Sequence, residues 1–368
     1  MSIRFNNYRS GFRIAAIAFE PEVRQTMLEN DLSVLYVDSN RVVLFPEKIV
    51  LSEDAEQIEK IRKYNNYDVA EIWQNGVMLR RYNDKSDDNY FFITGVCNSN
   101  CIMCPSPEAS RKKASEIDIE SLMELARHIP SDTPHLTITG GEPFIVGESL
   151  FLFIDYLKRK FVNTEFLFLT NGRIFSIDKY LNMFIETVPA HSIVAVPVHG
   201  SCSAVHDTIS RAKNSFEQTR IGIKNLIKNH IPVEIRLVIN KLNFDDFSNI
   251  AKLIIDEFRG IEYVSIIAME MTGNARANKD IIWITYKEAF ASVKKAVELL
   301  VRSGIDVKLY NFPLCCVESS YWTLCEKSIS PEKVRYAEEC DDCIYKMNCG
   351  GVFAGTYPFE KDELKAIR

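Results

Sequence analysis

The sequence predicts an α/β chain built from parallel βα units, and three observations carry that prediction. From Asn89 onward, short apolar runs alternate with amphipathic stretches of helical period, the pattern of strands joined by crossover helices. The helical stretches have start and stop signals, as where Asp118 precedes the apolar stripe Ile119, Leu122, Leu125, Ala126 and Ile129 and Pro130 ends it. The Gly-, Asn- and Cys-rich clusters fall just after the predicted strands, where a βα architecture gathers its functional residues. Six such units are too few for a closed eight-stranded barrel. The chain divides into an α+β accessory unit at 1–88, the βα units at 89–304 and a cysteine-rich extension at 305–368.

Taken in order, 41–45 reads as a strand and 55–64 as a short helix. Residues 71–74 and 77–80 read as a hairpin around Asn75-Gly76, a type I′ turn signal. Nothing in 1–88 carries chemistry; a structural cap and a peptide grip on an exposed edge strand both fit. The first strand of the main unit is the apolar run 90–93, read as buried. Strands two to six are 135–139, 165–170, 192–198, 233–239 and 263–268, with helices near 148–160, 175–187, 215–229, 244–258 and 285–302. A further strand at 308–312 opens the cysteine-rich extension.

Composition narrows the partners. With 368 residues and 46% apolar content the chain has material for a sizeable core. A net charge of -6 and a pI near 5.7 argue against nucleic acid, which needs concentrated positive charge. No run of eighteen apolar residues and no N-terminal signal pattern is present, so a cytoplasmic protein without a membrane partner is expected. The ten cysteines form two tight groups with Cys202 alone between them, a metal-like spacing and not a disulfide framework; Cys202 reads as a small core residue.

Cys97, Cys101 and Cys104 stand at C-x3-C-x2-C on the loop after the first strand. Thiolates select iron-sulfur clusters, zinc or copper(I). Three of them leave one iron of a 4Fe-4S cubane open to a cofactor or substrate; a zinc site completed by His or a distant Cys is the alternative. Strand two runs into Gly140-Gly141-Glu142-Pro143, whose glycines permit close backbone approach to a ligand beside a carboxylate. Strand three ends at Thr170-Asn171-Gly172, and strand four at Pro197-Val198-His199-Gly200. Strand five carries Arg236 among apolar neighbours, where a guanidinium needs a partner: a cofactor carboxylate, or an internal acid such as Glu234 or Glu270. Downstream, Cys340, Cys343 and Cys349 (C-x2-C-x5-C) with an upstream thiol supply four ligands for a closed 4Fe-4S or zinc site, most simply through Cys315, with Cys316 and Cys325 as alternatives.

The cysteine loop and the Gly-Gly-Glu-Pro stretch resemble the radical S-adenosylmethionine (radical SAM) enzymes. That resemblance implies an open partial (β/α)6 TIM barrel, with Cys97, Cys101 and Cys104 as catalytic cluster ligands and SAM on the open iron. It implies cofactor contacts from Met103 through its backbone, from Gly140, Gly141, Glu142 and Pro143 at the SAM amino group, and from Thr170 and Asn171. His199 stands where the family usually has Asp, and Arg236 where it can meet the SAM carboxylate. Met271-Thr272-Gly273-Asn274-Ala275 resembles the loop that closes over adenine. The extension is similar to twitch/SPASM tails, which implies one auxiliary 4Fe-4S cluster on Cys315, Cys340, Cys343 and Cys349. The motif order over about 78–358 is similar to the HxsC family, the C-type maturases of His-Xaa-Ser repeat peptide systems. Its implied partners are a ribosomally made peptide with His-Xaa-Ser repeats, a second radical SAM maturase, a small accessory protein and an external electron donor. A radical SAM enzyme for a small molecule, and a non-catalytic iron-sulfur electron-transfer or scaffold protein, share many of these features.

Overall fold

The computed structural model describes residues 3–6, 8–112 and 118–368. The N-terminal part is a seven-stranded sheet of β1 (Ile3–Arg4), β2 (Arg13–Ala18), β3 (Val34–Val37), β4 (Val42–Phe45), β5 (Ile49–Ser52), β6 (Val69–Ile72) and β7 (Val77–Tyr82). Their order is β1-β7-β6-β2-β3-β4-β5, and only β2 and β3 pair in parallel, joined by the helix Pro21–Glu29. The helix Ala55–Ile61 starts where the Asp54 side chain accepts from the Gln57 N–H. The sequence reading missed β1, β2, β3, β5 and the first helix. In β2 nearly every side chain is buried, so the alternation that marks a half-exposed strand is absent. The expected hairpin is present, β6 pairing antiparallel with β7, but its turn type is corrected. The turn spans Trp73 to Gly76, closed by the Gly76 N–H donating to Trp73 O at 2.7 Å, and of the Asn75-Gly76 pair only Gly76 has a left-handed φ (78°), whereas a type I′ turn needs two.

The second sheet holds β8 (Tyr90–Phe92), β9 (His135–Thr139), β10 (Glu165–Leu169), β11 (Ser192–Pro197), β12 (Val233–Val238) and β13 (Tyr263–Ile267) side by side in chain order. Every pair is parallel, so all the C-terminal strand ends meet at one rim. Two further parallel strands, β14 (Val307–Tyr310) and β15 (Cys325–Glu326), extend it to eight. The strand expected to open the extension therefore belongs to the barrel sheet, because the free edge of β13 offers unpaired N–H and C=O groups. At the opposite edge β8 is half-exposed and not buried: Phe91 is inside while Tyr90 and Phe92 face out.

The helix Ile119–His128 is capped by Asp118, whose side chain accepts from the Ser121 N–H, and it buries Leu122, Leu125 and Ala126. Helices Glu148–Lys160, Asp178–Thr187, Ser215–Lys228, Phe247–Glu257 and Tyr286–Arg302 likewise bury apolar faces, which join the sheet in one core, and of these only Tyr286–Arg302 has a side-chain N-cap. Phe144, Phe168, Phe175 and Phe184 meet there at ring-centroid distances of 4.9–6.5 Å. The N-terminal sheet docks on this unit through the Ser33 N–H donating to His128 Nε2 (3.1 Å) and the Tyr82 hydroxyl meeting Thr133 Oγ1 (2.9 Å). The C-terminal segment forms a ribbon, β16 (Val334–Arg335) with β17 (Val352–Phe353), and returns to the rim, where Thr356 Oγ1 accepts from the Met271 N–H at 3.0 Å. Among the described residues no helix is long and apolar enough to cross a membrane.

Candidate active site

The rim is organised by the loop that leaves β8. Its backbone lies against the turn after β9: the Gly141 N–H donates to Thr94 O (2.7 Å) and the Glu142 N–H to Val96 O (2.9 Å). A Cβ on Gly140 would sit 2.5 Å from Thr94 O, and one on Gly141 2.3 Å from Val96 O. The paired glycines thus serve the approach of two backbone segments as well as lining the space above them. That space is a cavity of about 310 Å³, at the lower end of small-ligand sites. Cys97, Cys101 and Cys104 line it together with Thr170, Asn171, His199 and Arg236. A larger, open groove of about 660 Å³ between the N-terminal sheet and the helix Ile119–His128 holds carboxylates but none of the motif residues.

The thiol loop is held from two sides. From beyond β13, the Asn274 N–H donates to Cys104 O (2.9 Å) and its side-chain amide to Cys101 O (3.0 Å), while the Asn278 amide donates to Ile102 O (3.1 Å). Gly273 is required there, with φ 53° and a would-be Cβ 2.2 Å from Pro105 O. Within the stretch 271–275, Gly273 and Asn274 clasp the thiol loop. From the other side Arg173 Nη1 donates to Asn98 O (3.0 Å) and Ser99 Oγ (3.2 Å), and buried Arg111 donates to Ser99 O (3.0 Å) and Asn100 Oδ1. Sequence reasoning missed Arg111 and the roles of Asn274 and Asn278; polar residues that bond to backbone carbonyls leave no spacing signature.

The other predicted residues are distributed unevenly. Glu142 is 2% exposed, and its carboxylate accepts from the Phe144 N–H (3.1 Å), the Thr170 hydroxyl (2.7 Å) and the Asn171 N–H (2.7 Å). It ties the end of β9 to the end of β10, and burial raises its pKa above the ordinary carboxylate value. Pro143 opens the short 3₁₀ turn that follows. The Met103 side chain packs with Ile209, Met269 and Met271, away from the cavity. Arg236 Nε stands 3.7 Å from Glu234 Oε1, and Glu234 in turn accepts from the Tyr263 hydroxyl (3.2 Å), so of the two acids Glu234 is the one Arg236 meets. His199 is buried with Nε2 3.9 Å from Cys101 Sγ, and burial holds its pKa well below the usual imidazole value.

The donor chemistry fits a multi-iron group. Burial raises the pKa of the Cys97 thiol and pushes that of Cys101 up to about 12, with the neighbouring thiols adding to the effect, so occupation by a metal centre must displace protons. Arg111 lowers both, a positive charge suited to thiolates. Among the described residues no three His, Cys, Asp or Glu side chains are arranged to hold a single metal ion, yet the three thiols share one cavity.

A second cavity lies in the extension. Cys315, Cys340, Cys343 and Cys349 all line it, and backbone N–H groups of Leu314 and Gly351 point at Cys349 Sγ (3.4 Å each) and that of Ile367 at Cys343 Sγ (3.4 Å). Hydrogen bonds of this kind stabilise ligating thiolates. Cys316 does not line this cavity; its thiol contacts Cys315 and donates to Glu360 Oε1 (3.8 Å), and the Cys325 thiol donates to Tyr321 O (3.8 Å). Cys202, expected in the core, is exposed at the start of the helix Ser203–Ser210, because the chain there leaves the rim for solvent.

Residues 91–254 match the family model of the radical SAM superfamily. Over 164 residues the chain is 24% identical to an AdoMet-dependent heme synthase of Methanosarcina barkeri, covering 44% of this chain and 45% of that one. It is 30% identical over 171 residues to the sporulation killing factor maturation protein SkfB of Bacillus subtilis (44% and 37%). Over 168 residues it is 29% identical to the antilisterial bacteriocin subtilosin biosynthesis protein AlbA of the same organism (45% and 36%). The chain thus spans less than half the length of the curated relatives it matches. Among solved structures, Streptococcus suis SuiB bound to S-adenosylmethionine superposes with a TM-score of 0.49 at 12% identity, covering 79% of this chain and 59% of that one.

Proposed function

We propose that this chain, whose residues 91–254 form a radical SAM domain, is an enzyme that modifies a ribosomally made peptide, of the His-Xaa-Ser repeat type. The observation that carries the enzymatic part is the convergence of Cys97, Cys101 and Cys104 on one cavity with Gly140, Gly141, Thr170, Asn171 and Arg236. When bound, a reduced 4Fe-4S cluster supplies the electron that splits SAM into methionine and a 5′-deoxyadenosyl radical. The chain's own residues prepare the site. Arg111 and Arg173 anchor the thiol loop and place positive charge beside it. Glu142 fixes Thr170 and Asn171, so the floor of the cavity is held by charge-assisted hydrogen bonds. The Arg236 guanidinium, 3.7 Å from Glu234 and lining the cavity, is assigned to clamp a cofactor carboxylate.

The peptide substrate is supported by the likeness to SkfB and AlbA, named for maturation of a killing factor and for biosynthesis of a bacteriocin. The His-Xaa-Ser assignment rests on the order of the sequence motifs, and with it come a second maturase, an accessory protein and an external electron donor as partners. The auxiliary 4Fe-4S cluster is assigned to Cys315, Cys340, Cys343 and Cys349, supported by their shared cavity. A small-molecule substrate is the second reading, favoured by the likeness to the heme synthase.

Anaerobically reconstituted protein given dithionite and SAM is expected to release 5′-deoxyadenosine, and the Cys97, Cys101, Cys104 triple Ala variant is not. Retained cleavage in that variant would sink the enzymatic assignment. A His-Xaa-Ser repeat peptide should raise the yield and return with an altered mass; an unaltered peptide favours the small-molecule reading. The triple variant should keep about four irons per chain on the auxiliary site. Cys315→Ser should lose them, whereas Cys316→Ser and Cys325→Ser should not.

A further inference from the structure

We infer that the free edge of β8 is where the peptide docks: an extended stretch of it adds as a further strand of the sheet, hydrogen-bonded to the main chain of Tyr90 and Phe92. The inference rests on the reading of the substrate as a ribosomally made peptide. The hydrogen bonds of β8 fix which of its groups are free. Asn89 O accepts from the Thr137 N–H (2.9 Å) and the Ile93 N–H donates to Thr139 O (2.8 Å), with Phe91 in register with Ile138 between them. In a parallel ladder alternate residues of one strand direct both main-chain groups to the same neighbour, so Phe91 faces β9, and the N–H and C=O of Tyr90 and Phe92 point the other way. β8 is the last strand of its sheet, and no main-chain partner for those four groups occurs among the described residues.

The side chains of the same two residues mark the face that the added strand shares. Phe91 is buried against Phe153 of the helix Glu148–Lys160, ring centroids 5.2 Å apart, so Tyr90 and Phe92 lie on the opposite face. They are 52% and 43% exposed, an uncovered aromatic pair on an edge of the kind that proteins ordinarily cover or charge. Phe92 is in register with Thr139, which lines the thiol cavity, and Cys97 follows five residues after Phe92. A strand added here runs along the cavity's own side of the sheet, about 5 Å beyond β8. Asp87 and Asp88, both exposed, precede β8 and complement the charge of a histidine-bearing chain. An extended main chain is what such an edge recognises, its backbone groups giving affinity and its alternate side chains selectivity.

The test uses the reconstituted full chain and a fluorescein-labelled synthetic peptide of His-Xaa-Ser repeats, with affinity read by anisotropy. Phe92→Pro removes one outward N–H and leaves the β8–β9 bonds in place, so melting temperature and iron content should match the wild type. Peptide affinity should fall about three- to ten-fold, the range for one uncharged hydrogen bond. A peptide methylated at every backbone nitrogen has no N–H for Tyr90 O and Phe92 O, and on the unaltered protein it should bind about ten-fold more weakly or worse. This second arm decides the matter if Phe92→Pro fails to fold. Equal affinity of Phe92→Pro and wild type, or of the methylated and unmethylated peptides, overturns the edge assignment. So does a wild-type dimer that Phe92→Pro converts to monomer at unchanged peptide affinity, since the edge then serves a second copy of the chain. A wild type that binds SAM but no peptide overturns the peptide reading itself and this inference with it; a peptide that Phe92→Pro binds and alters in mass as the wild type does overturns the edge alone.

Discussion

Two buried glutamates show how local donors decide the work a carboxyl group does. Glu142 receives two backbone N–H groups and one hydroxyl, so its carboxylate is a structural tie despite its burial. Glu360 is 0% exposed and receives only the Tyr286 N–H (3.0 Å) and the weak Cys316 thiol, with Oε2 unpartnered. Burial accordingly raises its pKa from the ordinary 4.5 to about 8. A carboxyl whose folded pKa is raised stabilises the fold below its unfolded pKa and loses that contribution as pH rises through the folded value. The expected outcome is a loss of order 1 kcal/mol per pH unit between about pH 5 and 8. Glu360→Gln, neutral throughout, should flatten this dependence and be the more stable protein at pH 8.5. Parallel thermal denaturation curves of the two proteins across that window would refute the assignment.

At the scale of elements, the thiol loop has no regular secondary structure of its own and is held in place by its neighbours. The Asn274 side-chain amide donates to Cys101 O and Asn100 Oδ1, and its carbonyl accepts from the Glu108 N–H, so one side chain closes three points of the loop. Asn274→Ala leaves those groups to water. It should lower the iron retained by Cys97, Cys101 and Cys104 while the tail site keeps its metal, an outcome that iron assays on Asn274→Ala in the wild-type and Cys315→Ser backgrounds would separate. The long helix Tyr286–Arg302 is secured differently, by a capping box in which Thr285 and Glu288 satisfy each other's backbone N–H groups. Thr285→Ala should cost about 1 kcal/mol, seen in the denaturation midpoint, without changing metal content.

The whole molecule is three layers of decision: a mixed sheet, a parallel sheet with its rim, and a cysteine-bearing tail folded back on that rim. The first junction is pH-sensitive by construction. His128 Nδ1 lies 2.9 Å from Glu124 O, so Nδ1–H donates there and Nε2 accepts from the Ser33 N–H, an arrangement that needs the neutral ring. Burial lowers its pKa below the ordinary value near 6.5. A base with a depressed folded pKa stabilises the fold above its unfolded pKa and loses that contribution as pH falls. Hydrogen exchange at Ser33 should therefore accelerate below pH 6.5 relative to the core strands, and His128→Ala should show the faster exchange at neutral pH as well. Equal protection of Ser33 at pH 7.5 and 5 would show that the junction does not depend on this bond.

What was legible in the sequence was whatever depends on type, order and spacing. The parallel strands from β9 to β13 and their helices followed from apolar period and start and stop signals, and the thiol triplet, Gly140-Gly141 and the Cys340, Cys343 and Cys349 group stood out by chemistry carried on short spacings. These signals are local, so folding does not change them. Only the tertiary structure decided which way side chains point and which distant segments meet. It engaged the Glu142 carboxylate with Phe144, Thr170 and Asn171, buried the Met103 side chain and put Cys202 in solvent. It also set Arg111, Asn274 and Asn278 on backbone carbonyls of the thiol loop. Those outcomes depend on contacts between segments far apart in the chain, where many residue types satisfy a carbonyl equally well and no periodicity records the choice.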